Sequence, residues 1–381
     1  MQTTAVRPEI QQLQAYTPGL SIAEIQRKYG LTQVVKMASN ENPLGTSNLV
    51  REAIRRHAAY VFRYPQGGNP RLVGALADMH GVEPGRIVVG NGSDEIIDLL
   101  IRLLVAPGKH NIVCFEPCFS IYPIQAAING VEIRRCPINA VPDDFSFDFD
   151  ALLKRVTDDT RLVFITTPDN PSGYCPRAGA VKSLARSLAD ISPRCLLAVD
   201  EAYIDFADDE QEHSLLARRD LPENVLFLRT FSKSYGLAGL RLGYGVVPQP
   251  LAECYWRARL PFSVNILAEE AGLAALADTA FREATLSTVR EGRRGIAEGL
   301  RDIRCKVWPS SANFLLFKLP ENSISAQTCF ERLLEKGIII RQLKSYALPE
   351  HLRVSVGNPS ENAAFLAAMK DILQQTALRA R

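Results

Sequence analysis

The segment RTFSKSYGLAGLRLGY, Arg229 to Tyr244, carries the strongest chemical signal in this chain. Lys233 sits just past an apolar strand-like run, between Ser232 and Ser234, with Gly236, Gly239 and Arg241 beyond it. A free lysine, with a pKa of about 10.4, is neutral in only about one molecule in a few thousand at pH 7. Held as an imine to an aldehyde cofactor it escapes that handicap, which suits the position to covalent carbonyl chemistry. Ser232 and Arg241 offer a hydroxyl donor and a planar cation for a phosphate on the same cofactor. A surface lysine in a glycine-rich loop has the same local pattern, so other segments must decide.

Three of them bear on the question. Asp200 ends the apolar run in CLLAVDEAYIDF, Cys195 to Phe206, where an unpaired carboxylate is costly to desolvate. Opposite a protonated ring nitrogen it would be paired and would keep the ring electron-withdrawing, and Tyr203 could reach a ring substituent. An arginine partner or a metal role is the alternative, although no histidine cluster accompanies it. VVGNGSDEII, Val88 to Ile97, leads from a strand through glycines into a helix whose first turn holds Ser93 and Asp94. Free N–H groups there form an anion site, with the helix dipole adding about 0.3–1 kcal/mol. A dinucleotide fingerprint fails on spacing, because Glu95 stands where the third glycine belongs. TPDNPSG, Thr167 to Gly173, is a proline-punctuated turn in which Asn170 could hydrogen-bond a phenolic oxygen. Arg341 and Arg353 fall near strand ends late in the chain, and guanidinium forks read carboxylates and phosphates.

The elements that must position these groups follow from periodicity. Short β-branched runs recur at Arg86–Val89, Asn111–Phe115, Val131–Cys136, Arg161–Thr166, Cys195–Val199, Asn224–Leu228 and Leu242–Val247. Amphipathic stretches such as Glu95–Leu104 and Ala178–Leu188 separate them, which predicts crossover units and a mostly parallel, seven-stranded sheet covered by helices. Asn265–Ile303 reads as long helices with Arg290, Glu291, Arg293, Arg294 and Glu298 on a solvated face. Strand-like runs at Asn313–Leu319, Gly337–Arg341 and His351–Val356 then suggest a second, smaller domain. A capping-box pattern at Ser21 and Glu24 opens a short helix, followed by a turn at Asn42-Pro43. We expect a large domain over residues 45–265, and a smaller α/β domain built from residues 1–44 with 266–381.

Composition removes other classes. The chain has 381 residues, 44 basic and 42 acidic, for a net charge of +2, with 46% hydrophobic and 23% charged residues. That is the balance of a globular protein with a sizeable core. Without a basic block, a general nucleic-acid or membrane-surface binder is excluded. No stretch approaches about 18 uncharged apolar residues, and MQTTAVRPEIQQ lacks a charged-then-apolar signal pattern. Eight dispersed cysteines with no C-x-x-C pair read as reduced thiols of a cytoplasmic protein. Cys114 and Cys118 have no further ligands nearby in sequence, and we expect packing residues and no metal.

In this order the segments resemble the fold-type-I pyridoxal-phosphate aminotransferases, and within them the histidinol-phosphate aminotransferase family. The resemblance covers nearly the whole chain, including YTPGLSIAEI (Tyr16 to Ile25), ASNENPLG (Ala38 to Gly45), Tyr64-Pro65, EPCFSIY (Glu116 to Tyr122), RLPFSVN (Arg259 to Asn265) and LRVSVGNPSEN (Leu352 to Asn362). It implies that Lys233 binds pyridoxal 5'-phosphate and shuttles protons, that Asp200 pairs with the pyridine nitrogen, and that Asn170 and Tyr203 bond the phenolic oxygen. Phe119 would stack on the ring. Ser93, Asp94, Ser232 and Arg241 would hold the phosphate, with Tyr64 reaching it from a neighbouring subunit in a homodimer. Arg353 would bind the carboxylate of glutamate and, in the other half-reaction, the phosphate of histidinol phosphate, with Tyr16, Asn42 and Arg341 on the substrate side. The implied reaction is ping-pong transfer of an amino group between glutamate (leaving 2-oxoglutarate) and imidazole-acetol phosphate, a step of histidine biosynthesis. The chain departs from the family at Thr167, Asp169, Ser172, Tyr174, Cys175, Leu260 and Ser263, which leaves room for an aromatic or specialised amino acid. A decarboxylase of the same fold and a ligand-sensing regulator are the remaining readings.

Overall fold

The computed structural model describes residues 5–11, 13, 19–138 and 144–379. Its centre is a seven-stranded sheet in the spatial order Ile87–Gly90, Gly243–Val246, Val225–Thr230, Leu196–Asp200, Thr160–Thr166, Asn111–Glu116 and Glu132–Pro137. Only Gly243–Val246 runs antiparallel to its neighbours. The other contacts are parallel, as expected for strands joined by helical crossovers.

Period two divides these strands between two cores. Val89, Val113, Val163, Ile165, Leu197, Val199, Val225 and Phe227 face one layer of helices. Val88, Ile112, Cys114, Leu162, Phe164, Ala198, Leu226 and Leu228 face the other. Both faces of the central strands are covered, so those strands are mostly apolar and their alternation is invisible in the sequence. The edge strand Glu132–Pro137 instead keeps Glu132, Arg134 and Arg135 toward solvent. Helix Ser93–Leu104 covers the second face by burying Ile96, Ile97, Leu99, Leu100 and Ile101.

A second, four-stranded antiparallel sheet has the order Arg341–Gln342, His351–Ser355, Phe314–Lys318, Lys306–Val307. It packs with helices Thr279–Asp302, Ala326–Glu335 and Pro359–Arg379 around Phe314, Phe317, Phe365 and Met369. The run expected as one strand from Gly337 to Arg341 is two. Ile338–Ile339 pairs in parallel with Val35–Lys36, while Arg341–Gln342 joins His351–Ser355. The N-terminal helix Ile22–Tyr29 starts where Ser21 Oγ accepts from the Glu24 N–H at 3.1 Å. It buries Ile25 against Leu334 and Ile339.

One long-helix expectation is corrected. Arg293 is buried, not solvated, because it shares the i, i+4, i+7 stripe of Val289, Ile296 and Leu300. Its guanidinium donates to the carbonyls of Phe206 (2.9 Å) and Ala312 (3.0 Å) and to Asp208 (2.8 Å). Helix Ile266–Ala277 buries Ala268, Ala271 and Ala275 in the core of the large sheet. We therefore propose that the smaller domain resumes at helix Thr279–Asp302 and not at residue 266.

Neighbouring strands also bring charges together on the first face. Arg229 Nε and Nη2 donate to Glu201 Oε2 at 2.9 and 2.7 Å, both side chains buried. Nη2 also lies 2.8 Å from Glu210. Removing the cation strands buried carboxylate charge, so Arg229→Met is expected to cost about 3–5 kcal/mol, measured by urea unfolding. Adding Glu201→Gln to that variant should recover part of the loss. A single variant as stable as the wild type would refute the pairing.

Candidate active site

Five loops leave the carboxyl edge of the large sheet and converge. Gly90 leads into the Ser93 helix, Glu116 into Phe119, Thr166 into Asn170, Asp200 into Tyr203, and Thr230 into Ser232 and Lys233. Arg241 arrives from the antiparallel strand, whose first residue, Gly243, is in register with both Gly90 and Thr230. The reversed strand thus delivers its N-terminal end to the same edge. Ser93, Asp94, Phe119, Thr166, Asn170, Asp200, Ala202, Tyr203, Thr230, Ser232, Lys233, Ala238 and Arg241 line one cavity of about 150 Å³ there. Ligands of open α/β sheets bind at such edges.

The anion end of this cavity is made of bare backbone. Gly92, at φ +82°, caps helix Ser93–Leu104, and a Cβ on it would come within 2.6 Å of Arg241 Nη2. A Cβ on Gly243 would lie 2.3 Å from the Ser93 nitrogen. Two glycines therefore let a guanidinium and a helix N-terminus close on the same space. Arg241 is held there by Asp94 at 3.0 Å. The combination of unpaired helix N–H groups, Ser232 and Arg241 suits a phosphate.

At the far end Asp200 is buried. Its Oδ1 accepts from the Ala202 N–H at 3.1 Å and its Oδ2 from the Tyr122 hydroxyl at 2.6 Å. Burial pushes its carboxyl up to about 6, opposed first by the Tyr122 hydrogen bond. A buried acid without an arginine among its hydrogen-bond donors is what a cationic ring nitrogen would complete. Lys233 Nζ donates to the Ser39 carbonyl at 3.2 Å and lies 5.6 Å from the centre of the Tyr203 ring. The Tyr203 hydroxyl accepts from Asn40 Nδ2 at 3.1 Å, and burial raises its pKa.

Segment 39–46 clasps the lysine loop from the other side. Asn42 Nδ2 donates to the Ser234 carbonyl (2.8 Å) and to Thr285 Oγ1 (3.2 Å), and Thr46 Oγ1 to the Gly236 carbonyl (3.0 Å). Gly236, at φ +68°, could not carry a Cβ, which would meet the Gly45 oxygen at 2.0 Å. Asn42, expected toward substrate, is thus engaged with the lysine loop. Arg353 is buried, with Nη1 donating to Asn170 Oδ1 and Nη2 to the Ala38 carbonyl at 3.0 Å. Its Nε is buried without a hydrogen-bond partner among the described residues. A buried donor left unsatisfied on a cation beside Asn170 is one that an anion would complete.

Other expected residues lie elsewhere. Arg341 is opposite Arg353 in register but lines a separate cavity of about 350 Å³ with Glu116, Cys118 and Tyr346. Tyr64 is 80% exposed and stacks on Phe262 at 4.7 Å, away from the Lys233 cavity of its own chain. Tyr16 lies outside the described residues. Cys114 and Cys118 face each other at 3.7 Å, and the described residues contain no cluster of three metal-ligating side chains. Sequence reading missed Asn40, Tyr122 and Thr166. Asn40 and Tyr122 fall within the motifs ASNENPLG and EPCFSIY, but only the fold shows what each touches. Segment 39–46 brings in Asn40, helix Ile121–Ile128 brings in Tyr122, and the end of its strand brings in Thr166.

Asp169, one of the departures from the family pattern, is buried and accepts from the Ser172 N–H (3.0 Å) and hydroxyl (2.5 Å). Burial lifts its carboxyl to about 6. The folded chain then keeps a proton that the unfolded chain, with a pKa of about 3.9, releases. Its contribution to stability is full below about pH 4 and is lost as pH rises through about 6. Asp169→Asn should therefore gain on the wild type in thermal unfolding of the cofactor-free protein as pH goes from about 4.5 to about 8. A constant difference between the two would contradict the burial argument.

The aminotransferase class I and II family profile matches residues 32–369. A histidinol-phosphate aminotransferase from Nitratidesulfovibrio vulgaris (strain DP4) is 57% identical over 368 residues, 97% of this chain and 96% of that protein. One from Akkermansia muciniphila is 39% identical over 95% of this chain and 97% of that protein. Among solved structures, histidinol-phosphate aminotransferase from Sinorhizobium meliloti in complex with pyridoxal-5'-phosphate superposes with a TM-score of 0.86 at 27% identity, over 98% of both chains.

Proposed function

The chain belongs to the class I and II aminotransferases, and on that premise we propose that it is a pyridoxal-phosphate-dependent histidinol-phosphate transaminase of histidine biosynthesis. The observation that carries this reading is the single cavity in which Lys233, Asp200, Asn170, Tyr203 and Arg241 meet. The 57% identity to a histidinol-phosphate aminotransferase across almost the full chain supports the substrate.

Pyridoxal phosphate, when bound, supplies an electron-withdrawing ring and an aldehyde that carries the amino group from one substrate to the next. The residues present fit it. Ser232, Arg241 and the N–H groups of Ser93 and Asp94 would hold its phosphate, with Asp200 at the ring nitrogen and Asn170 and Tyr203 at the phenolic oxygen. Phe119 would cover the ring face. Lys233 Nζ takes and returns the proton at the substrate α-carbon, a transfer that needs a base within hydrogen-bond reach. Arg353, already against Asn170, binds the carboxylate of glutamate in one half-reaction and the phosphate of histidinol phosphate in the other. A guanidinium fork accepts both anions.

Tyr60, Val61, Phe62, Tyr64, Leu260 and Phe262 expose a large amount of apolar surface around one stacked pair. Such exposure marks an interaction surface. We assign it to a homodimer in which Tyr64 reaches the phosphate site of the neighbouring subunit. No helix among the described residues is long and apolar enough to cross a membrane, and all eight cysteines are free. We place the enzyme in the cytoplasm, where thiols stay reduced.

Three measurements test these assignments. With pyridoxal phosphate loaded, the visible spectrum should be converted by histidinol phosphate at far lower concentration than by phenylalanine; the reverse order would make the enzyme an aromatic aminotransferase. Lys233→Ala should abolish turnover while the fold persists. Phe262→Asp should halve the mass seen by sedimentation and weaken cofactor binding, whereas an unchanged mass would remove this surface from the interface.

A further inference from the structure

Tyr122 lies on helix Ile121–Ile128, outside the lining of the Lys233 cavity, yet its hydroxyl touches two groups that do line it. Thr166 and Asp200 are register partners on adjacent parallel strands, and period two turns both toward the face that carries Tyr122 and Phe164. The phenol is 2.6 Å from Asp200 Oδ2 and 2.8 Å from Thr166 Oγ1. Asp200 as a carboxylate can only accept, so the phenol proton points to it and the Thr166 hydroxyl donates to the phenol oxygen. The tyrosine ring is fixed independently. It stacks on Phe164 at 4.5 Å and meets Phe119 edge-on at 5.7 Å.

From this geometry we infer that Tyr122 is a positioning residue which, backed by Thr166, holds Asp200 ionised and aimed at the cofactor's ring nitrogen while bracing Phe119. The inference rests on the aminotransferase reading of the site and adds a residue to it. Each Asp200 oxygen has two lone pairs, so with Tyr122 on Oδ2 and the Ala202 N–H on Oδ1 the carboxylate retains capacity for a further donor. Burial works against the charged form of Asp200, and the Tyr122 hydrogen bond is the first influence opposing it. Tyr122 itself is buried, and burial together with the Asp200 charge keeps its phenol protonated. It therefore remains a donor across the working pH range. Deleting the hydroxyl leaves the ring stacking intact but removes the donor, and a hydrogen bond to a charged group is worth about tenfold or more in an equilibrium constant.

The test compares dissociation constants for pyridoxal phosphate and for its 1-deaza analogue, in which carbon replaces the ring nitrogen, in wild type and Tyr122→Phe. The wild type should prefer pyridoxal phosphate. Tyr122→Phe should lose about tenfold of that preference while its affinity for the deaza analogue stays within about twofold. Equal loss for both ligands would reduce Tyr122 to packing and overturn the inference. A wild type that binds both ligands equally would instead overturn the assignment of Asp200 to the ring nitrogen. Should Tyr122→Phe not fold, Thr166→Val decides. A smaller fall in the same preference supports the relay, and an unchanged preference ends it.

Discussion

A carboxylate taken out of water costs several kcal/mol unless donors or a cation replace its hydration. Asp200 is in that position at the end of a central strand, and much of the site is arranged around it. Tyr122 and the Ala202 amide satisfy one lone pair on each oxygen. Lys233, one strand over and a few residues further along, lines the same cavity. The acid is fixed by parallel register, Thr166 beside Asp200 and Asp200 beside Leu228. A slip of one residue would turn it toward the opposite core.

Charges on the two sheet faces are kept apart by the same rule. Asp200 faces the helix that carries Tyr122, whereas the next residue, Glu201, faces the other core and is matched by Arg229. Asp205 extends that second network, accepting from Arg282 at 2.8 Å and from the Ser234 hydroxyl next to Lys233. The lysine loop is therefore tied from beneath by buried charge and from above by Asn42 and Thr46. A nucleophile with a long flexible stem gains precision when its backbone is pinned on both sides.

Much of this was legible along the chain. All seven strands of the large sheet fall within about two residues of their expected runs, and for the central ones this is because a doubly covered sheet demands continuous apolar segments between turn residues. The strand-to-loop positions of Ser93, Asn170, Asp200, Ser232 and Lys233 were visible for the same reason, since parallel strands all deliver their carboxyl ends to one edge. Arg241 instead reaches that edge from the start of the one reversed strand. Arg293 was misread because a charged residue on an amphipathic helix looks solvated until carbonyls from a distant segment meet it. The split of Gly337–Arg341 was hidden because a single extended run can change partners without a change in composition.

The order and type of the elements, and with them the group of residues at the sheet's edge, belong to the sequence, since periodicity and turn chemistry act over a few residues. Which side chains touch was decided only by the tertiary structure. Asn42 turning to Ser234, Asn40 to Tyr203, Arg353 to Asn170 and Tyr122 to Asp200 join residues 78 to 192 positions apart. Local propensity has no term for such separations. Hydrogen-bond partners over that range exist only once the strands are in register and both faces of the sheet are packed.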